Sequence, residues 1–193
     1  GKVSGLIRPV FDILGILPGY RESDISLWFF LFFTLFFAMI IGDAGYGMLI
    51  LIGTIVFAVK TKGEKKYSNI VYLLFVLSIA TVIWGAITGT WFGMESAMNV
   101  PFLKALVIPS FANYPDTALA QQNTIMKFSF SVGAIQMALG SLISIKKKIA
   151  EKNLSWVADL GWLVAIVAMY LLSLYLVIGE SINITPVFAM IGV

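Results

Sequence analysis

The apolar stretch over residues 27–59, LWFFLFFTLFFAMIIGDAGYGMLILIGTIVFAV, constrains this chain more than any other feature. It holds one ionisable side chain, Asp43, near its middle. As one straight helix it would run about 50 Å at 1.5 Å per residue. The hydrocarbon core of a bilayer is about 30 Å thick. Two arrangements answer the mismatch: a tilted helix that projects from the membrane, or a hairpin of two short arms that turns at residues 42–47, GDAGYG. In the hairpin each arm would be roughly 22 Å long, and the polar turn would have to be buried in protein or wetted by a cavity. The turn suits this role. Gly42, Gly45 and Gly47 tolerate positive φ and close backbone approach, and Asp43 can cap the second arm by accepting from a backbone N–H of its first turn. Glycine is also common inside membrane helices, so the glycines alone leave both arrangements open.

The rest of the chain places this stretch in a membrane protein. Hydrophobic residues make up 60% of the sequence, charged residues 12%, and the mean hydropathy is +0.96. A soluble domain is nearer half apolar and a quarter charged. Several continuous apolar runs reach the ~20 residues that a spanning helix needs, without the alternation of a β-barrel strand. The expected fold is therefore all-α, a polytopic transmembrane helical bundle. Its parts are the hairpin at 27–59, spanning helices near 67–93, 124–145 and 157–178, and one more, cut off, from 185. Residues 1–26 read as an amphipathic connector from a soluble domain, and 27–193 as the transmembrane helical domain.

Small residues recur at helical spacing. Thr81, Gly85, Gly89 and Gly93 stand four apart, and Ser129, Gly133, Gln136, Gly140 and Ser144 share a face. Such stripes let membrane helices approach closely, and a glutamine within one can bond across the contact. The loops at 60–66 and 146–152 are rich in lysine and are expected on the cytoplasmic side. They are separated by two spans, which agrees with that placement.

The chemistry is sparse. The chain has neither cysteine nor histidine, which removes disulfides, thiolate or imidazole metal sites and a histidine proton shuttle. No metal, cofactor or catalytic residue is expected. GDAGYG lacks the spacing and preceding strand of a dinucleotide fingerprint, and no phosphate-binding loop is present. The net charge of +3 sits in membrane loops and does not suggest nucleic acid. Asp43 is the ionisable group deepest in an apolar run. It is either part of an ion pathway or a structural cap.

Four segments in order resemble one family. Residues 36–47, FFAMIIGDAGYG, resemble the first membrane segment of the large stator subunit of V-type and A-type rotary ATPases, called subunit a in eukaryotes and subunit I in bacteria and archaea. Residues 17–24, LPGYRESD, resemble the segment just before it, 83–93, IWGAITGTWFG, the end of its third membrane helix, and 132–140, VGAIQMALG, its fourth. The resemblance implies a multi-pass subunit in a bacterial or archaeal plasma membrane. It would support proton or sodium translocation against a proteolipid rotor ring, in contact with lipid, other ATPase subunits and the remainder of its own chain. It implies a cytoplasmic N-terminal arm, which favours the hairpin. The family's essential arginine lies on a later helix, and neither Arg8 nor Arg21 can be matched to it. The expected role is therefore structural support within the stator. Rival readings are a fragment of a secondary transporter with a Gly-broken helix, and a membrane scaffold or assembly protein.

Overall fold

The computed structural model describes residues 26–61, 65–112 and 118–181, together with Thr185 and Val187. The connector over 1–25, the middle of the first lysine loop and most of the segment from 182 onward lie outside the described residues. The described residues are helical, with short connecting turns and no strand. The chain divides into two compact units, Gly1–Thr117 and Ala118–Val193.

The first unit begins with the hairpin. Helix α1, Ser26–Ile41, and helix α2, Ala44–Lys60, are bent from one another by 120°. Two consecutive residues make the break. Gly42 takes φ +67° and donates its N–H to the Ala38 carbonyl at 2.9 Å, a left-handed stop to α1. Asp43 is extended, φ −133° and ψ 124°, and is the N-cap of α2. At 16 and 17 residues the arms are about 24 and 26 Å long, each shorter than the hydrocarbon core.

Helix α3, Lys65–Thr88, follows the lysine loop and packs against both arms. Leu73 and Leu77 of α3 are buried against Phe29, Phe30, Phe33 and Phe37 of α1, whose spacing of three and four puts them on one helix face. The expectation of a helix reaching residue 93 is corrected: α3 stops at Thr88. Gly89 adopts φ +76°, its N–H bonds to the Ala86 carbonyl, and the Thr90 N–H bonds to the Gly85 carbonyl at 2.9 Å. These two bonds form a Schellman stop. Gly89 and Gly93 are thus turn glycines with positive φ rather than members of a helical stripe. The following segment folds back through a 3₁₀ turn at Glu95–Asn99, helix α4 at Pro101–Ala105 and a second 3₁₀ turn at Pro109–Phe111. It is fastened by the Ile108 N–H to the Ile87 carbonyl at 3.0 Å and by the Trp84–Phe111 edge contact at 5.9 Å.

The second unit is a longer hairpin of α5, Ala118–Ala150, and α6, Trp156–Ser173, which continues through a π turn at Leu174–Ile178. A second Schellman stop, with Lys152 at φ +53° and the Asn153 N–H on the Lys148 carbonyl, ends α5. The two helices are joined at three levels. Asp159 accepts from Ser144 Oγ at 2.7 Å and from Lys148 Nζ at 2.8 Å. Ser131 and Tyr170 share a hydrogen bond at 2.8 Å, and Lys127 pairs with Glu180 toward the other end.

Tyr67–Thr88, Gln122–Ala150 and Trp156–Ile178 are each long and apolar enough to cross a membrane, and the bent α1–α2 pair passes the same test as a broken span or re-entrant loop.

Candidate functional site: the Asp43 joint

Asp43 is 5% exposed, and its hydrogen-bond partners among the described residues are all backbone N–H groups. Oδ1 accepts from Gly45 at 2.7 Å and Tyr46 at 3.2 Å, which caps α2. Oδ1 also accepts from Phe92 at 2.9 Å, and Oδ2 from Gly93 at 3.0 Å, across some fifty residues of sequence. A buried carboxylate is costly to desolvate unless its lone pairs are occupied. Here three donors engage Oδ1 and one engages Oδ2, with the carboxyl group accepting every one of these bonds.

The distant half of this cage is built from strained backbone. Phe92 has φ +53° and Gly93 φ +65°. Successive N–H groups in such a turn converge into a concave nest that holds an anion. For a non-glycine residue the left-handed conformation costs roughly 1–2 kcal/mol. Phe92 is held there by its N–H on Asp43 and by its ring, which meets Tyr46 edge-on with centroids 5.6 Å apart. Neighbouring Trp91 buries its indole N–H with no partner among the described residues.

Close backbone approach completes the joint. The Ala44 N–H donates to the Thr90 carbonyl at 2.9 Å. A Cβ at Gly85 would stand 2.0 Å from the Ala44 nitrogen and 2.6 Å from the Asp43 carbonyl carbon. One at Gly47 would stand 2.8 Å from the Val82 nitrogen, and one at Gly45 about 2.5 Å from the Phe92 ring. The turn at 42–47 therefore docks onto the C-terminal end of α3 through glycines on both sides, with Thr81 and Thr88 buried nearby.

The singled-out residues thus separate into groups. Asp43, Gly42, Gly45, Gly47, Gly85 and Gly93 come together at one joint. Gly89 stops α3 and abuts Met98 and Val107. Gly133, Gln136 and Gly140 lie on α5 in the second unit. A Cβ added at Gly133 or Gly140 would meet no described atom within 4 Å. Sequence reasoning missed the N–H groups of Phe92 and Gly93. The signal available was Gly-Thr-Trp-Phe-Gly over 89–93, two glycines bracketing a turn, which reads equally as helical spacing. It also missed the Lys148–Asp159–Ser144 cluster, whose members stand in the second lysine loop and in the apolar runs on either side of it.

No protein-family profile and no solved structure matches the chain. Curated sequences do. It is 35% identical over 187 residues to the "V-type ATP synthase subunit I" of Borreliella burgdorferi, an alignment that covers 93% of this chain and 29% of that protein.

The chain belongs to the V-type and A-type ATP synthase subunit I family.

It is also 31% identical to the "V-type ATP synthase subunit I 1" of Treponema pallidum over 91% of this chain and 28% of that protein. The "A-type ATP synthase subunit I" of Methanocaldococcus jannaschii is 25% identical over 80% of this chain and 25% of its own length. The chain therefore spans under a third of the length of these subunit I relatives. Two of the segments that carried the resemblance, 36–47 and 83–93, are the two halves of the Asp43 joint.

Proposed function

We propose that this chain is a membrane-embedded, non-catalytic part of the stator of a rotary V/A-type ATP synthase, supporting proton or sodium translocation against a proteolipid ring. The relatives named above carry this reading, since the alignment to subunit I runs through nearly the whole chain. Its partners are the rotor ring, other subunits of the complex, the remainder of the same subunit and membrane lipid. It lies in the plasma membrane with the lysine-rich loops at 60–66 and 146–152 in the cytoplasm, as their charge favours.

Within the stator Asp43 acts as a structural clasp rather than an ion relay. Four backbone donors and near-complete burial support this. A group that exchanges a proton or binds sodium needs to face water or the next carrier, whereas Asp43 is buried and enclosed by four backbone N–H groups. The same closure argues against a transporter site, where broken-helix ends face a substrate. Gly133, Gln136 and Gly140 provide a face on which another helix can seat closely.

The test is purification of the tagged full-length subunit from native membranes. The proposal expects the proteolipid ring and the ATP-hydrolysing head to come with it. Recovery of the subunit free of both, from membranes in which the ATPase is intact, contradicts it.

A further inference from the structure

At the lysine end of the first unit, opposite the Asp43 joint, the last turn of α2 and the first turns of α3 part to leave a surface cavity of about 230 Å³. It is lined by Ala58 and Thr61 on one side and by Tyr67, Ser68, Val71, Tyr72 and Phe75 on the other. From 67 to 75 the α3 wall extends about 12 Å along the helix axis. Its composition is graded. Hydroxyl-bearing Thr61, Tyr67 and Ser68 stand at the loop end, and Val71 and Phe75 lie further toward the middle of α3. Phe57 meets the Tyr67 ring edge-on with centroids 5.8 Å apart and closes one flank. The cavity is smaller than the roughly 300–1,000 Å³ of pockets that enclose a small molecule, and it opens along a face from which Ser68 and Tyr72 project, both exposed.

The loop end is net positive, since the sequence over 60–66 carries four lysines and one glutamate. Lys60 is exposed in the last turn of α2. Among the described residues no acidic side chain lines the cavity. An apolar slot that begins beneath Lys60, at the lysine-rich end of a membrane helix, matches a ligand with an anionic head and a hydrocarbon tail. Lysines beside a bilayer attract anionic lipid with about 1 kcal/mol each, and aromatic residues with a polar tip are at home at headgroup level.

We propose that this groove is a binding site for an anionic phospholipid of the surrounding leaflet. One acyl chain lies along Val71 and Phe75, and the phosphate sits beside Lys60 at the lysine-rich loop end. The proposal stands apart from the stator reading, because it needs only that this end of the hairpin meets a membrane surface.

The experiment is native mass spectrometry of the purified full-length subunit, titrated with phosphatidylglycerol and phosphatidylcholine of identical acyl chains. Phosphatidylglycerol should be retained at least fivefold better. Lys60→Gln should weaken its retention about fivefold, the loss of one lysine contact. Ser68→Phe, a change at an exposed position, should reduce retention by occupying the groove. Unchanged thermal unfolding of both variants in detergent keeps these losses specific. Equal retention of the two lipids, or phosphatidylglycerol retention that survives both substitutions, overturns the proposal. Failure of the subunit to co-purify with a ring would leave these lipid measurements standing and count only against the stator reading.

Discussion

Replacing Asp43 gives an ordered series that the geometry fixes. In Asp43→Ala the two α2 donors lose their cap, a change worth about 0.5–2 kcal/mol. The Phe92 and Gly93 N–H groups lose partners inside a buried joint, at about 1–3 kcal/mol each. The sum is roughly 3–8 kcal/mol, comparable with the ~5–15 kcal/mol total stability of an ordinary domain. In Asp43→Asn one carbonyl oxygen can take over the position of Oδ1, which accepts three of the four bonds. The amide NH₂ then faces the Gly93 N–H, donor to donor, where Oδ2 now accepts at 3.0 Å. Its expected cost is about 1–3 kcal/mol. Capping alone would make asparagine nearly neutral; the second oxygen is why it is not. Thermal unfolding of the full-length subunit in detergent should rank wild type above Asn and Asn well above Ala. Equal melting of the Asn and Ala variants, or an Ala variant as stable as wild type, would refute the four-donor account.

Other outcomes follow from the same packing. Gly85→Ala should destabilise the subunit by about 1–3 kcal/mol or more, the usual range for overpacking, because its Cβ would meet backbone at 2.0 Å; Gly133→Ala should leave melting unchanged, and the reverse order would contradict the joint. Lys148→Met should lower thermal stability more than Asp159→Asn. The first strands a short carboxylate that relies on Lys148 and Ser144, whereas the second leaves a lysine able to snorkel to water; unfolding in detergent of the two variants decides it. Cysteines placed at Lys60 and Lys147 should react with an impermeant thiol reagent from the same face of oriented vesicles, which is a clean assay in a sequence without cysteine; labelling from opposite faces would refute the loop placement.

What was legible in the sequence was local. The length of the 27–59 run against a bilayer, with Gly42 and Asp43 at its centre, marked where a break could fall, while a single tilted helix stayed open until the family resemblance favoured the hairpin. The composition and the lysine loops separated the remaining helices, closely for 157–178, whereas α5 runs six residues beyond the expected 124–145 at its start and five at its end. The end of α3 was misjudged because an i, i+4 run of glycines is the same string whether it continues a helix or terminates one. What decides is the Thr90–Gly85 bond, a tertiary outcome favoured because the turn beyond it reaches Asp43. The sequence likewise offered Asp43 a backbone N–H in the first turn of the second arm, the kind of local bond that Gly45 and Tyr46 make, but not the other two partners. Those are backbone groups some fifty residues distant, and backbone donors leave no mark in residue identity. The Lys148–Asp159 pair was hidden for a related reason. A charge near the end of an apolar run reads as a boundary until the neighbouring helix is in place.

The central claim is that Asp43 holds the joint and does not carry the ion. The most direct measurement is ATP-driven ion pumping by the complex carrying Asp43→Asn in its full-length subunit, reconstituted in liposomes and normalised to the amount of assembled complex. The account predicts that less complex assembles or survives purification, and that each assembled complex pumps at the wild-type rate. Assembly at wild-type level with pumping abolished would contradict it and return Asp43 to the ion pathway.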